Sequence, residues 1–234
     1  MPKVALNDSY VTIWRGKDCL SFIDGLSSNL VIGLPRNNVI QTAILDKNAK
    51  IIDFITILNL GEFLAVVGYA SNFESMIKFV TPRILQSDVN ISDISSLNDI
   101  FVSYDITNEM ITGTCETIDG ITHAKIYHNM TLCIASKNIA TNCEEMDKEF
   151  HEWRIINLIP WHGYEIIRGK LPYACGLNNF VHDAKGCYTG QEILTRMRTR
   201  NKGMKELKRI YNEDLNSEKI TTKGDSYSLV IVNQ

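Results

Sequence analysis

The stretch Lys185-Gly-Cys-Tyr-Thr-Gly-Gln-Glu192 places one cysteine, one lysine and two glycines just ahead of a helical segment. Thr189-Gly-Gln-Glu192 has the spacing of a capping box, in which a hydroxyl and an acid satisfy the free N–H groups of a helix start. The spacing predicts a helix from Gly190 to about Arg200. Cys187 then precedes a helix N-terminus and lies two residues from the Lys185 ammonium, and both features favour thiolate over thiol. Gly186 and Gly190 permit backbone conformations and close approaches that a side chain blocks, bringing N–H groups toward an anion or opening access to the sulfur. The same residues allow a plainer reading, with Cys187 as a small apolar residue buried in a turn and Lys185 as its solvated neighbour. His182 is five residues upstream and no histidine adjoins the thiol, so a protease-like Cys–His pair is not indicated.

Charge concentrates behind the octapeptide. Residues 185–209 hold Lys185, Arg196, Arg198, Arg200, Lys202, Lys205, Lys208 and Arg209 against Glu192 and Glu206, a local charge of +6 in a chain whose net charge is −3. A basic cluster on an otherwise acidic protein suggests a specific anionic ligand or partner more than general nucleic-acid affinity. The six cysteines, at 19, 115, 133, 143, 175 and 187, form no C-x-x-C pair, so no metal site or dithiol motif is expected. With 44% hydrophobic and 22% charged residues the 234-residue composition is that of a globular protein. Apolar stretches such as 51–60 are broken by Asp53 and Asn59, and the first residues lack an apolar signal core. A soluble cytoplasmic protein with no membrane partner is expected.

Working outward, strands are expected at 10–15, 39–45, 51–58 and 62–69, the middle pair as a hairpin around Asp46-Lys-Asn-Ala-Lys50. Asp18 is placed to cap a short helix to about Leu26, and Ser71-Asn-Phe-Glu74 to open a second helix that Pro82 ends. Further strands are expected at 100–105, 110–114, 121–127 and 131–135, with a turn at Asp119-Gly120. Thr141-Asn-Cys-Glu144 is read as a third box starting a helix to about Asn157, with Met146, Phe150 and Trp153 on one stripe. Residues 158–183 read as ordered loop, and Trp161-His162-Gly163 within it can line a cavity. Strand pairs alternate twice with single helices, the pattern of two α+β lobes with antiparallel sheets. The last stretch holds two strands, 207–211 and 227–232.

The octapeptide resembles the K-G-C-[FY]-x-G-Q-E motif of the YgfZ family, a branch of proteins related to the glycine-cleavage T protein, and Arg196 and Arg198 continue the match. Weaker likeness runs upstream. Arg15-Gly-Lys-Asp18 through Phe22-Ile-Asp-Gly-Leu-Ser-Ser-Asn29 is similar to the family's opening motif, and Leu45 to Asp53 to its hairpin. Arg83 to Asn90 is similar to the element closing the first part, and Arg154 to Pro160 and Leu171-Pro172 to later segments. The resemblance covers roughly residues 10–210. It implies two ferredoxin-like lobes forming a folate-binding module at 1–205, followed at 206–234 by a truncated remnant of the family's C-terminal β-barrel, set around a central opening.

It also implies tetrahydrofolate or a derivative as ligand, and a role in assembly or repair of iron–sulfur clusters, with assembly proteins or client enzymes as partners. Cys187 and Lys185 map to the family's functional pair. Tyr188, Gln191 and Glu192 map to the rest of the motif, and with Asn29, Arg196 and Arg198 they are the expected ligand contacts, the arginines meeting the folate's glutamate tail. No metal ligand set is implied, and whether the protein turns over a substrate is left open. The sequence departs from the pattern at Leu30 and Ala174, where the family has acids, and at Ala49, where it has glycine. A folate-dependent aminomethyltransferase and a non-catalytic scaffold that has lost folate binding are the alternatives.

Overall fold

The computed structural model describes residues 2–106, 109–200, 204–215 and 219–233. Lys202 of the basic run lies outside these residues. The first sheet is built from β2 (Ser9–Arg15), β3 (Asn38–Leu45), β4 (Ile51–Asn59), β5 (Leu64–Tyr69) and β6 (Asn90–Asp93), in the antiparallel order β3-β4-β5-β2-β6. Its apolar side chains alternate between faces as the pleat dictates. Trp14, Ile44, Ile55, Ile57 and Val66 pack under helices α1 (Cys19–Asp24) and α2 (Phe73–Ile84). Val11, Val39, Leu58 and Val67 point the other way, onto the second sheet.

That sheet has the order β1-β7-β10-β9-β8, from β1 (Lys3–Ala5), β7 (Asn98–Tyr104), β8 (Cys115–Ile118), β9 (Ile121–Tyr127) and β10 (Met130–Ser136). Val4, Ile100, Val102, Leu132 and Ile134 meet the first sheet across one shared core. Because β1 pairs with β7 while β2 joins the other sheet, the two lobes are interleaved. The β8–β9 turn has Asp119 and Gly120 at φ of 51° and 78°, the geometry that an Asp-Gly pair favours in a tight hairpin.

Helix starts differ from the capping boxes. Asp18 stands at the cap of α1, but its carboxylate accepts from Asp88 N–H at 2.8 Å instead of from the helix. Helix α2 is capped at Asn72, whose side chain donates to Asp53 instead. Pro82 lies inside α2 and does not end it, because it sits on the exposed face where water can replace the lost backbone bond. Helix α3 (Lys148–Ile156) begins later than Thr141 suggests. Its cap is Asp147, whose carboxylate accepts from Phe150 N–H at 3.0 Å. Strand β8 likewise begins at Cys115, after the expected 110–114.

The last strands, β11 (Lys205–Tyr211), β12 (Ile220–Lys223) and β13 (Tyr227–Asn233), form an open three-stranded sheet in the order β11-β13-β12, where two strands were expected; no barrel closes among the described residues. A buried ion pair attaches this sheet to the body. Arg154 and Glu165 are both fully buried and 2.8 Å apart, and each also bonds Thr222 of β12. Trp161 N–H and the Ile159 carbonyl complete the set. Removing one partner of such a pair strands a charge in the core.

Asp53 is another buried charge-bearing group. It accepts from Tyr10 Oη, Asn72 Nδ2 and the Phe54 and Tyr69 N–H groups, joining β4 to β2 and to the start of α2. Burial nevertheless pushes its pKa up to about 6, more than these bonds lower it. Since the folded-state value lies above the unfolded one, the stabilisation is fully present below about pH 4 and is lost as pH rises through about 6. Asp53→Asn removes that dependence. In urea denaturation, the stability gap between wild type and Asp53→Asn is expected to narrow by about 2 kcal/mol from pH 4 to pH 7. Glu165→Gln is expected to cost about 3 kcal/mol in the same assay, by stranding the Arg154 charge.

Candidate functional site

The octapeptide is a clasp between two loops. Lys185 reaches inward with a fully buried side chain, and its Nζ donates to the carbonyls of Asp24 (2.8 Å), Ser27 (2.9 Å) and Asn29 (2.8 Å) and pairs with Asp24 Oδ1 at 3.0 Å. These acceptors lie at the C-terminal end of α1 and in the turn after it, where unpaired carbonyls favour a cation. Burial pulls the lysine pKa down, and the Asp24 carboxylate opposes it. Burial would raise Asp24, but the Ile32 and Val31 N–H groups and then Lys185 hold it below its ordinary value. Lys185 has no donor to spare for a ligand in this arrangement.

Tyr188 packs in the core over the β3–β4 hairpin, with the Lys185 ammonium 5.0 Å from its ring centre. Burial first, then Tyr173, pushes its hydroxyl pKa up to about 12. Helix α4 spans Gln191–Thr199 with Gly190 as its cap, at φ 85°. Thr189 does not cap it; its N–H and hydroxyl turn to the Gly25 carbonyl at 3.1 and 3.5 Å. Gly190 is required by space as well as by φ, because a Cβ there would lie 2.7 Å from Ala49 Cα in the hairpin turn. Gly186 has open space around it and Cys187 is exposed.

The remaining expected contacts spread over this surface. Asn29 is spent on local bonds, to the Gln41 carbonyl (3.0 Å) and from Leu30 N–H (2.9 Å). Gln191 is half-buried, Glu192 and Arg196 are exposed, and Arg198 pairs with Asp183.

A separate concavity of about 610 Å³ opens where the two sheets meet the 159–166 loop, within the range of small-molecule sites. None of Lys185, Cys187, Tyr188, Gln191, Glu192, Arg196, Arg198 or Asn29 lines it. Its walls include Phe54, Tyr69, Tyr127, Trp161, His162 and Tyr164. Trp161-His162-Gly163 does line a cavity; most of the other walls come from strands whose inward faces the sequence pattern marks only as core, and the loops at 6–8 and 145–146 complete the lining. His162 stacks on Tyr69 with ring centres 4.9 Å apart and planes 10° apart, and its Nε2 meets the Phe54 carbonyl at 3.0 Å. Burial lowers the imidazole pKa to about 4, so the ring is neutral near pH 7. With Nε2 carrying the proton to that carbonyl, Nδ1 is left as an acceptor. Among the described residues no cluster of His, Cys, Asp and Glu could hold a metal ion, and no helix is long and apolar enough to cross a membrane.

No family model matches the sequence, and no curated protein matches it. Among solved structures the fold is similar to the crystal structure of glycine cleavage system aminomethyltransferase T from Bartonella henselae. The TM-score is 0.79 at 12% identity, and the likeness covers 99% of this chain and 78% of that one. The fold is therefore an α+β arrangement of the glycine-cleavage T-protein type.

The two octapeptide glycines give a paired test. Gly190→Ala is expected to cost about 3 kcal/mol in chemical denaturation, from the positive φ and the hairpin contact. Gly186→Ala, with nothing within 4 Å, is expected to change stability by less than about 0.5 kcal/mol.

Proposed function

We propose that this protein binds a reduced folate in the cavity between its lobes and serves the assembly or repair of iron–sulfur clusters on client enzymes. The observation that carries the ligand half is the aromatic-walled cavity of about 610 Å³, in a chain whose fold is similar to that of an aminomethyltransferase. The folate identity comes from the resemblance of the sequence motifs to the YgfZ family. Flat walls and the stacked Tyr69–His162 pair suit a planar ring, and Nδ1 of neutral His162 suits a ring N–H. A bound tetrahydrofolate carries one-carbon units. The chain's own part is to seat the ring, exclude water from it and hold His162 uncharged.

The iron–sulfur half rests on the octapeptide, in which Cys187 is presented to solvent while Lys185 anchors the segment behind it. In this reading residues 1–205 form the ligand-binding module and 206–234 a reduced appendage. Lys185 acts as a positioning residue, fixing the backbone that carries the thiol. A second reading, a folate-dependent aminomethyltransferase, draws on the fold likeness alone. Folate-dependent cleavage of an aminomethyl-lipoyl donor by the purified protein would establish it.

A thermal-shift titration tests the ligand half. Saturating tetrahydrofolate, at about 100 times its Kd, stabilises the fold by about 2.7 kcal/mol, which raises Tm by roughly 5–10 °C for a chain of this size. No shift at any concentration removes folate from the reading. Cys187→Ser is expected to keep the wild-type Tm, since the side chain is exposed, and to fail in restoring iron–sulfur enzyme activity to cells lacking the protein. Full restoration would take the thiol out of the function.

A further inference from the structure

The cavity and the basic surface are separate, and that separation bears on which ligands the site accepts. The only charged side chains among the described residues lining the cavity are Asp8 and Glu145, both exposed and both acidic. No described lysine or arginine lines it. His162 contributes no charge near neutral pH, and Arg154, which packs against the Tyr164 ring, is closed off by its ion pair with Glu165. The arginines of α4 are elsewhere, Arg198 turned to Asp183. An anionic group brought into this space meets two carboxylates and, among the described residues lining it, no compensating cation, at a concavity whose apolar walls focus the field.

We infer that the cavity selects a flat heterocycle that is uncharged or cationic and leaves an anionic tail in solvent, so that it does not recognise the glutamate chain of a folate. The inference rests on the ligand-in-cavity reading above and narrows it. The aromatic walls supply contact with the ring, the exposed carboxylates repel anionic substituents, and recognition stops where the ligand's charge begins. Each glutamate added to the tail adds charge of the sign already present on the protein side, so lengthening the tail adds no affinity.

Isothermal titration of the full chain with three probes tests this: 5-formyltetrahydrofolate, its pentaglutamate, and tail-less 6-methyltetrahydropterin under anaerobic conditions. The expected result is a pentaglutamate Kd no tighter than that of the monoglutamate, a tail-less pterin that binds within about tenfold of it, and no weakening by salt. A pentaglutamate that binds more than tenfold tighter, with affinity lost as salt rises, overturns the inference and leaves the folate reading intact. Binding of the tail-less pterin alone supports the inference and overturns the folate reading. Failure of all three overturns both. An Asp8→Asn, Glu145→Gln double variant changes only exposed side chains and keeps the fold. It is expected to tighten pentaglutamate binding by about threefold or more at low salt, and unchanged affinity in that variant counts against the inference.

Discussion

A buried ammonium ties the octapeptide to the far end of the sequence. Lys185 gathers three carbonyls and one carboxylate from residues 24–29, between 156 and 161 positions away in the chain. An ammonium taken out of water is tolerated only when its donors are met and its charge is balanced, and both conditions are satisfied by the end of α1. The cost of that desolvation is what makes the contact specific: any register that moves Lys185 off those carbonyls leaves a charge and several polar groups without partners. Thr189 on Gly25 and Gly190 against Ala49 extend the same clasp to the β3–β4 hairpin. The exposed Cys187 is held between fixed points although its own side chain touches little.

A second buried pair fastens another part of the body by the same physics. Arg154, Glu165 and Thr222 join α3, the cavity loop and the third sheet, so the loop carrying Trp161 and His162 is braced from behind. The cavity wall is therefore rigid for a reason that lies outside the cavity. The fused aromatic packing of Phe150, Tyr104, Trp153 and Trp161 supplies the apolar counterpart.

What the sequence disclosed follows the range over which each cause acts. Strands β2 to β5, β7, β9 and β10 were legible because alternation and turn chemistry are local, as at Asp119-Gly120. Strands β1, β6 and β12 were not, since three or four residues on an edge carry no period of their own. All three capping boxes failed as caps. At Gly190 a left-handed residue starts the helix, and near Asn72 and Asp147 tertiary bonds or a nearer acid took the role. The octapeptide was visible as a motif, but the destination of Lys185 was not, because its acceptors are backbone atoms that sequence does not mark. The cavity was nearly invisible: apart from the Trp161–Gly163 loop, most of its walls come from residues that read as ordinary core on separate elements, and its two acids, Asp8 and Glu145, sit in loops that carry no motif.

The position of β1 bears on how the chain acquires its fold. Lys3–Ala5 must wait for Asn98–Tyr104 before it has a partner, while Ser9–Arg15, immediately after it, pairs inside the first sheet. A ribosome-bound chain can thus assemble most of the first lobe early, but β1 stays unpaired until about a hundred residues after it have emerged. Such a long closure slows folding relative to a protein with local contacts, and it couples the lobes kinetically. The second lobe is not a contiguous module, because it takes one edge of its sheet from in front of the first.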